Sequence, residues 1–111
     1  MQLKSKKILE DIRAAASNVL DFTAGRSFDD YAGDQMLQSA VERQFEIMGE
    51  ALKRLSKIDA QTASEIEDYQ RIISFRNILI HGYDIVDNTV VWDVVQKDLP
   101  KLHQQVRDLL G

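Results

Sequence analysis

Apolar residues return every three or four positions along most of this chain. Ile8, Ile12, Ala15, Val19 and Phe22 make one such stripe, which predicts a helix over residues 4 to 23. Gly25 ends it. GRSFDDYAGD (25–34) reads as a loop with room for one short turn, and Asp34 suits an N-cap. Leu37, Val41, Phe45, Met48, Leu52 and Leu55 then repeat the spacing on a second helix. Its polar face carries Glu42, Arg43, Glu46, Glu50, Lys53 and Arg54, mostly as a solvated surface with pairs one turn apart.

After a turn at Ile58-Asp59 and a short helical piece, the chain is apolar again from Tyr69 to Ile80. Gly82 predicts a left-handed cap to this third helix, and Asn88 an N-cap to the next, after a loop through Asp84 and Asp87. Val91, Val95, Leu99, Leu102, Val106 and Leu109 form the last stripe. Pro100 lies within it without disturbing its phase, which predicts one kinked helix or two nearly coaxial ones. The pairs Val90-Val91 and Val94-Val95 would also suit a strand, but Trp92, Asp93 and the continuing period favour helix. The pattern predicts an all-α fold: an antiparallel bundle of four main helices plus a short helical segment, the last helix kinked near Pro100, in one domain over 1–111.

Composition narrows the function classes. A chain of 111 residues with 44% apolar content can fill one core. Its net charge of −4 gives no global attraction to nucleic acid, so RNA contact needs a local basic patch or one created by assembly. With no cysteine, disulfides and thiolate metal sites are excluded. No run approaches the ~18 apolar residues of a membrane span, and no apolar signal core follows MQLKSKK, so a cytoplasmic protein is expected.

The stretch RNILIHGYD (76–84) stands apart. On a wheel of about 100° per residue, Ile72 and Ile80 flank Arg76 closely, so the arginine falls inside the apolar arc. There it must pair with an anion, Glu46 or Glu50 being at hand, or reach solvent along its stem. His81 lies about 140° away, so the two would not easily meet on one straight helix. A turned helix end, or a two-fold dimer supplying the second residue, would join them and concentrate positive charge.

Histidine exchanges protons near neutral pH, and arginine grips a phosphate with two donors. Together they suit cleavage of RNA by its own 2′-hydroxyl, a nucleophile that DNA lacks. On residue types alone, a lone histidine such as His81 at a helix end more often simply caps it. Other chemistries are less supported. His81, Asp84 and His103 make a poor metal set, with His103 expected on a solvated face. Ser74 lacks a nucleophile elbow, and the five glycines form no phosphate loop. Gly49 reads as a close-packing point and Trp92 as a core residue.

Arg76, His81 and Tyr83 fit the R-x4-H-x-Y pattern of the HepT-like branch of the HEPN superfamily, and Asn77 fits the polar residue after that arginine. The segments FEIMGEALKRLS (45–56), VVWDVVQKDLPKL (90–102) and LEDIRAAASNVLDFTAGRSFDDY (9–31) also resemble the family. The resemblance implies a homodimeric, metal-independent endoribonuclease without cofactor, the toxin of a toxin–antitoxin pair. It implies that Arg76 and His81 are catalytic and that Asn77 supports them. It implies a nucleotidyltransferase antitoxin that transfers AMP to Tyr83, with a larger hetero-oligomer open to the pair. The alternative is a non-catalytic helical partner subunit of a nucleotidyltransferase.

Overall fold

The structure is a computed structural model that describes residues 1–82 and 86–111. It is all-α: α1 (Leu3–Thr23), α2 (Phe28–Ala32), α3 (Gln35–Ile58), α4 (Ala60–Ser64), α5 (Tyr69–His81), α6 (Asn88–Asp93), a π turn (Val94–Asp98) and α7 (Leu99–Leu110). Helix α1 packs on α3 and α7, and α3 packs on α5. Two cross-links fix α1 and α3 as antiparallel. Ser5 near the start of α1 donates to Asp59 at the end of α3 (2.7 Å), and Asn18 late in α1 donates to Gln44 (3.2 Å).

Every residue of the second stripe is buried, as are Ile8, Ile12, Ala15 and Val19 of the first. A fully buried side chain of this kind contributes ~1.5–3 kcal/mol of transfer free energy. Phe22 departs from its stripe: it is exposed, and Thr23 turns inward instead, its hydroxyl donating to the Val19 carbonyl at 2.7 Å. The T-shaped pair Phe45–Phe75 (centroids 5.1 Å apart) locks α3 to α5.

Asp34 and Asp59 cap α3 and α4, accepting from the backbone N–H of Leu37 (3.0 Å) and Thr62 (3.2 Å). The expected loop at 25–34 is partly helical. Ser27 and Asp30 form a reciprocal capping box that starts α2, and Gln38 caps its far end by donating to the carbonyls of Tyr31 and Ala32. This delivers Tyr31 into the core against Trp92, which is only half-buried (centroids 5.3 Å apart).

Two other expectations change at the C-terminal half. Gly82 has φ −118° and ψ 37°, so no left-handed cap is made; its N–H simply bonds the Ile78 carbonyl at 2.8 Å. The N-cap of α6 is Asp87, which accepts from Thr89 N–H at 2.8 Å, and Asn88 is already helical. Pro100 is accommodated by the preceding π turn, in which Leu99 N–H reaches back five residues to the Val94 carbonyl. A regular α-helix would direct the bond of position 100 to Gln96, and proline has no N–H to make it.

Candidate active site

Helix α5 carries three of the four sequence-predicted site residues, Arg76, Asn77 and His81. Tyr83 lies outside the described residues.

Arg76 faces α3, as its place on the apolar arc requires, and it can do so because position 49 has no side chain. A Cβ at Gly49 would overlap the Cβ and Cγ of Arg76. The apolar stem of the arginine therefore lies on bare helix backbone, and Gly49 is the close-packing point that its place within the second helix suggested. Beyond the stem, Arg76 Nη2 pairs with Glu50 Oε2 at 2.9 Å, and Nη1 donates to Asn77 Oδ1 at 3.1 Å. The Arg76 side chain is 19% exposed and that of Glu50 50%. The Nε atom is buried with no hydrogen-bond partner among the described residues.

Of the two carboxylates expected for Arg76, Glu50 is used. Glu46, one turn earlier, is held by Arg43 at 3.2 Å. The sequence carries that signal, because Arg43 and Glu46 are three apart on one helix and pair locally. The ends of the Arg76 side chain line a cleft of about 510 Å³ between α1, α3 and α5. Ala14, Ala15 and Ala51 keep it open, and Arg43, Arg54 and Glu50 border it.

His81 is the last residue of α5, exposed to solvent, and it does not line that cleft. The wheel's separation of Arg76 from His81 is thus present in the chain: one points into the α3 side and the other sits at the helix end. Asn77 is exposed beside Arg76 and orients its guanidinium. Ile78 and Ile80 are exposed on opposite faces of α5, Ile80 lining the Arg76 cleft, and Val90 is exposed on α6.

The other chemistry-bearing groups are elsewhere. His103 is half-buried rather than solvated. Its Nε2 lies 3.0 Å from Ser17 Oγ, and burial together with the nearby Arg107 and Arg13 guanidiniums holds its pKa below the usual imidazole value. Burial, and secondarily the Glu42 charge, push the Tyr31 phenol up; burial and the Glu46 charge push Glu42 up. Among the described residues, no group of three or more histidine and carboxylate side chains is placed to hold a metal ion. Among them too, no helix is long and apolar enough to cross a membrane.

A family model described as "Ribonuclease HepT-like" matches residues 12–109. The chain is 36% identical over 102 residues to "Probable ribonuclease HepT" of Thermococcus cleftensis, an alignment covering 92% of each chain. It is 33% identical over 102 residues to "Putative RNase TTE0752" of Caldanaerobacter subterraneus, covering 92% of this chain and 90% of the relative. It is 32% identical over 101 residues to "Putative RNase MJ1380" of Methanocaldococcus jannaschii, covering 91% of this chain and 92% of the relative. No solved structure gave a significant match.

Proposed function

Because the chain belongs to the HepT-like ribonuclease family, we propose that it is a metal-independent endoribonuclease toxin in which Arg76 and His81 are the catalytic pair. The observation that carries this reading is the posture of Arg76. A cation is held at the edge of a cleft by a glycine-made seat, an asparagine brace and one displaceable carboxylate. A bidentate carboxylate would hold an arginine more firmly than the single contact that half-exposed Glu50 makes.

In the proposed reaction a phosphodiester replaces Glu50 on the Arg76 guanidinium. His81 takes the proton from the RNA 2′-hydroxyl, whose oxygen attacks the adjacent phosphorus. The bond to the 5′-oxygen breaks, and that oxygen leaves with a proton, giving a 2′,3′-cyclic phosphate and a 5′-hydroxyl end. Arg76 stabilises the charge that builds on the phosphoryl oxygens, a contribution on the order of 10²-fold or more. A two-fold dimer would bring His81 to the Arg76 cleft, which it does not line within one chain, with one copy taking the proton and the other supplying it. Exposed Ile80, at the edge of that cleft, supplies apolar surface for that association.

The same reading assigns Tyr83 as the acceptor of AMP. Its phenol oxygen would attack the α-phosphate of ATP on a nucleotidyltransferase antitoxin, releasing pyrophosphate. The added phosphodiester and adenosine, two residues along the sequence from the end of the helix that holds Arg76, would repel and block RNA.

The test uses the purified chain, confirmed free of AMP by intact mass, with RNA and a chelator. Cleavage that is lost in Arg76→Ala and in His81→Ala, with the association state unchanged, supports the assignment. An intact RNA substrate after incubation with the wild-type chain sinks it and leaves the partner-subunit reading.

A further inference from the structure

The Arg76 cleft does not end where α5 ends its contact. A second cleft of about 830 Å³ follows between the first turns of α1 and the last turns of α3, and Asp11 and Arg54 border both. The two form one groove along the α1–α3 seam. It runs from Arg76, seated at Gly49, past Arg54 one turn on, to Lys4 and Lys6 at the N-terminal end of α1. From Glu50 to Ile58 that is about 12 Å of helix.

The charge of the groove opposes that of the chain. Six of the 14 Lys and Arg residues line it, but only four of the 18 carboxylates. Three of its cations are engaged: Arg76 by Glu50, Arg43 by Glu46, and Lys7 by Asp11 at 2.8 Å. Lys4, Lys6 and Arg54 are exposed and have no carboxylate within ion-pair distance among the described residues. Surface pairs such as Lys7–Asp11 are worth ~0–1 kcal/mol and are easily redirected to a polyanion. Exposed Leu3 and Ile58 lie beside the basic residues and offer apolar surface to unstacked bases.

We infer that the α1–α3 groove is the track on which the RNA strand lies beyond the scissile phosphate, with Lys4, Lys6 and Arg54 holding successive backbone phosphates. The inference rests on the ribonuclease reading and adds to it a substrate class. The preferred substrate is a single strand long enough to span the groove, bound through its backbone rather than through base edges.

The test compares the wild type with a Lys4→Gln, Lys6→Gln, Arg54→Gln variant, its fold checked by circular dichroism. Fluorescence anisotropy reads binding of a dinucleotide and of a single-stranded RNA of about 12 nucleotides. The wild type binds the longer strand much more tightly. The variant loses most of that gain, on the order of 100-fold at 0.1 M salt, and its log K against log salt slope shrinks by about 2. A variant that keeps both gain and slope overturns the track, as does a wild type that cleaves RNA but binds both lengths alike. A wild type that neither binds nor cleaves RNA overturns the ribonuclease reading beneath it.

Discussion

The stem of Arg76 lies across the bare backbone of Gly49, so a glycine on one helix sets the position of a cation on another. The atoms in contact are Cβ and Cγ, close to the α5 backbone, so they cannot swing away as the end of a flexible side chain would. Gly49→Ala therefore forces α3 and α5 apart or expels the arginine. Overpacking of this kind costs ~1–3 kcal/mol, against ~1 kcal/mol gained from alanine's helix propensity. The expected result is a net loss of about 1 kcal/mol in urea unfolding, with RNA cleavage falling far more than stability does. Full activity in the alanine variant would separate the glycine from the site.

Glu50 pairs with Arg76 at 2.9 Å, and half of its side chain is open to solvent. Neutralising it by Glu50→Gln removes a competitor for the guanidinium. Stability should change by no more than ~0.5 kcal/mol, because a half-exposed pair is worth little. RNA affinity should rise about 3- to 10-fold at low salt. A fall in affinity would mean that the carboxylate positions the arginine rather than competing for it.

Tyr31 presents a different imbalance. Its ring is fully buried against Trp92, and its hydroxyl has no hydrogen-bond partner among the described residues. Tyr31→Phe keeps the ring and removes the stranded hydroxyl. The variant should be more stable by about 1 kcal/mol, raising Tm by about 4 °C. Differential scanning calorimetry reads this directly, and a lower Tm would show that the phenol has a partner in solution.

His103 supplies the acid limit of the α1–α7 contact. Its pKa is held down by burial and by Arg107 and Arg13. The unfolded chain therefore takes up its proton at a higher pH than the folded one does. The neutral imidazole's contribution is complete above the unfolded pKa of about 6.5 and is lost as pH falls through the lower folded value. Stability measured between pH 7 and 5 should rise with pH in the wild type. The slope should flatten in His103→Gln, which keeps a polar partner for Ser17. An equal slope in both would place the titration elsewhere.

The long stripes were readable because burial follows helical periodicity so closely here. Leu37 through Leu55 and Val91 through Val106 keep to one face and are all inside. That Arg76 needs an anion was equally readable, since its wheel position left few alternatives. The choice of Glu50 over Glu46 turned on a local pair with Arg43, a matter of side-chain reach rather than periodicity. Helix α2 escaped a reading based on apolar repeats because five residues are too few to show a period, although Ser27 and Asp30 stand at capping-box spacing. The phase of the last stripe hid the π turn, because Val94 and Val95 are both buried and either could serve the pattern. The family motif located Arg76, Asn77 and His81 on one helix, but the α1–α3 groove depends on two helices meeting and has no linear signature.

The π turn ahead of Pro100 has a rotational consequence. Drawn as an uninterrupted α-helix, Val94–Asp98 would swing everything on its N-terminal side by about 100° about the helix axis. Trp92 would be swung off Tyr31. The widened turn acts as a built-in angular offset between two helical segments. It lets α7 keep its grip on α1 while α6, the first described helix after the motif, is aimed independently. Removing one residue from this turn would be felt as a twist transmitted to α6, and so as a change in what its side chains meet.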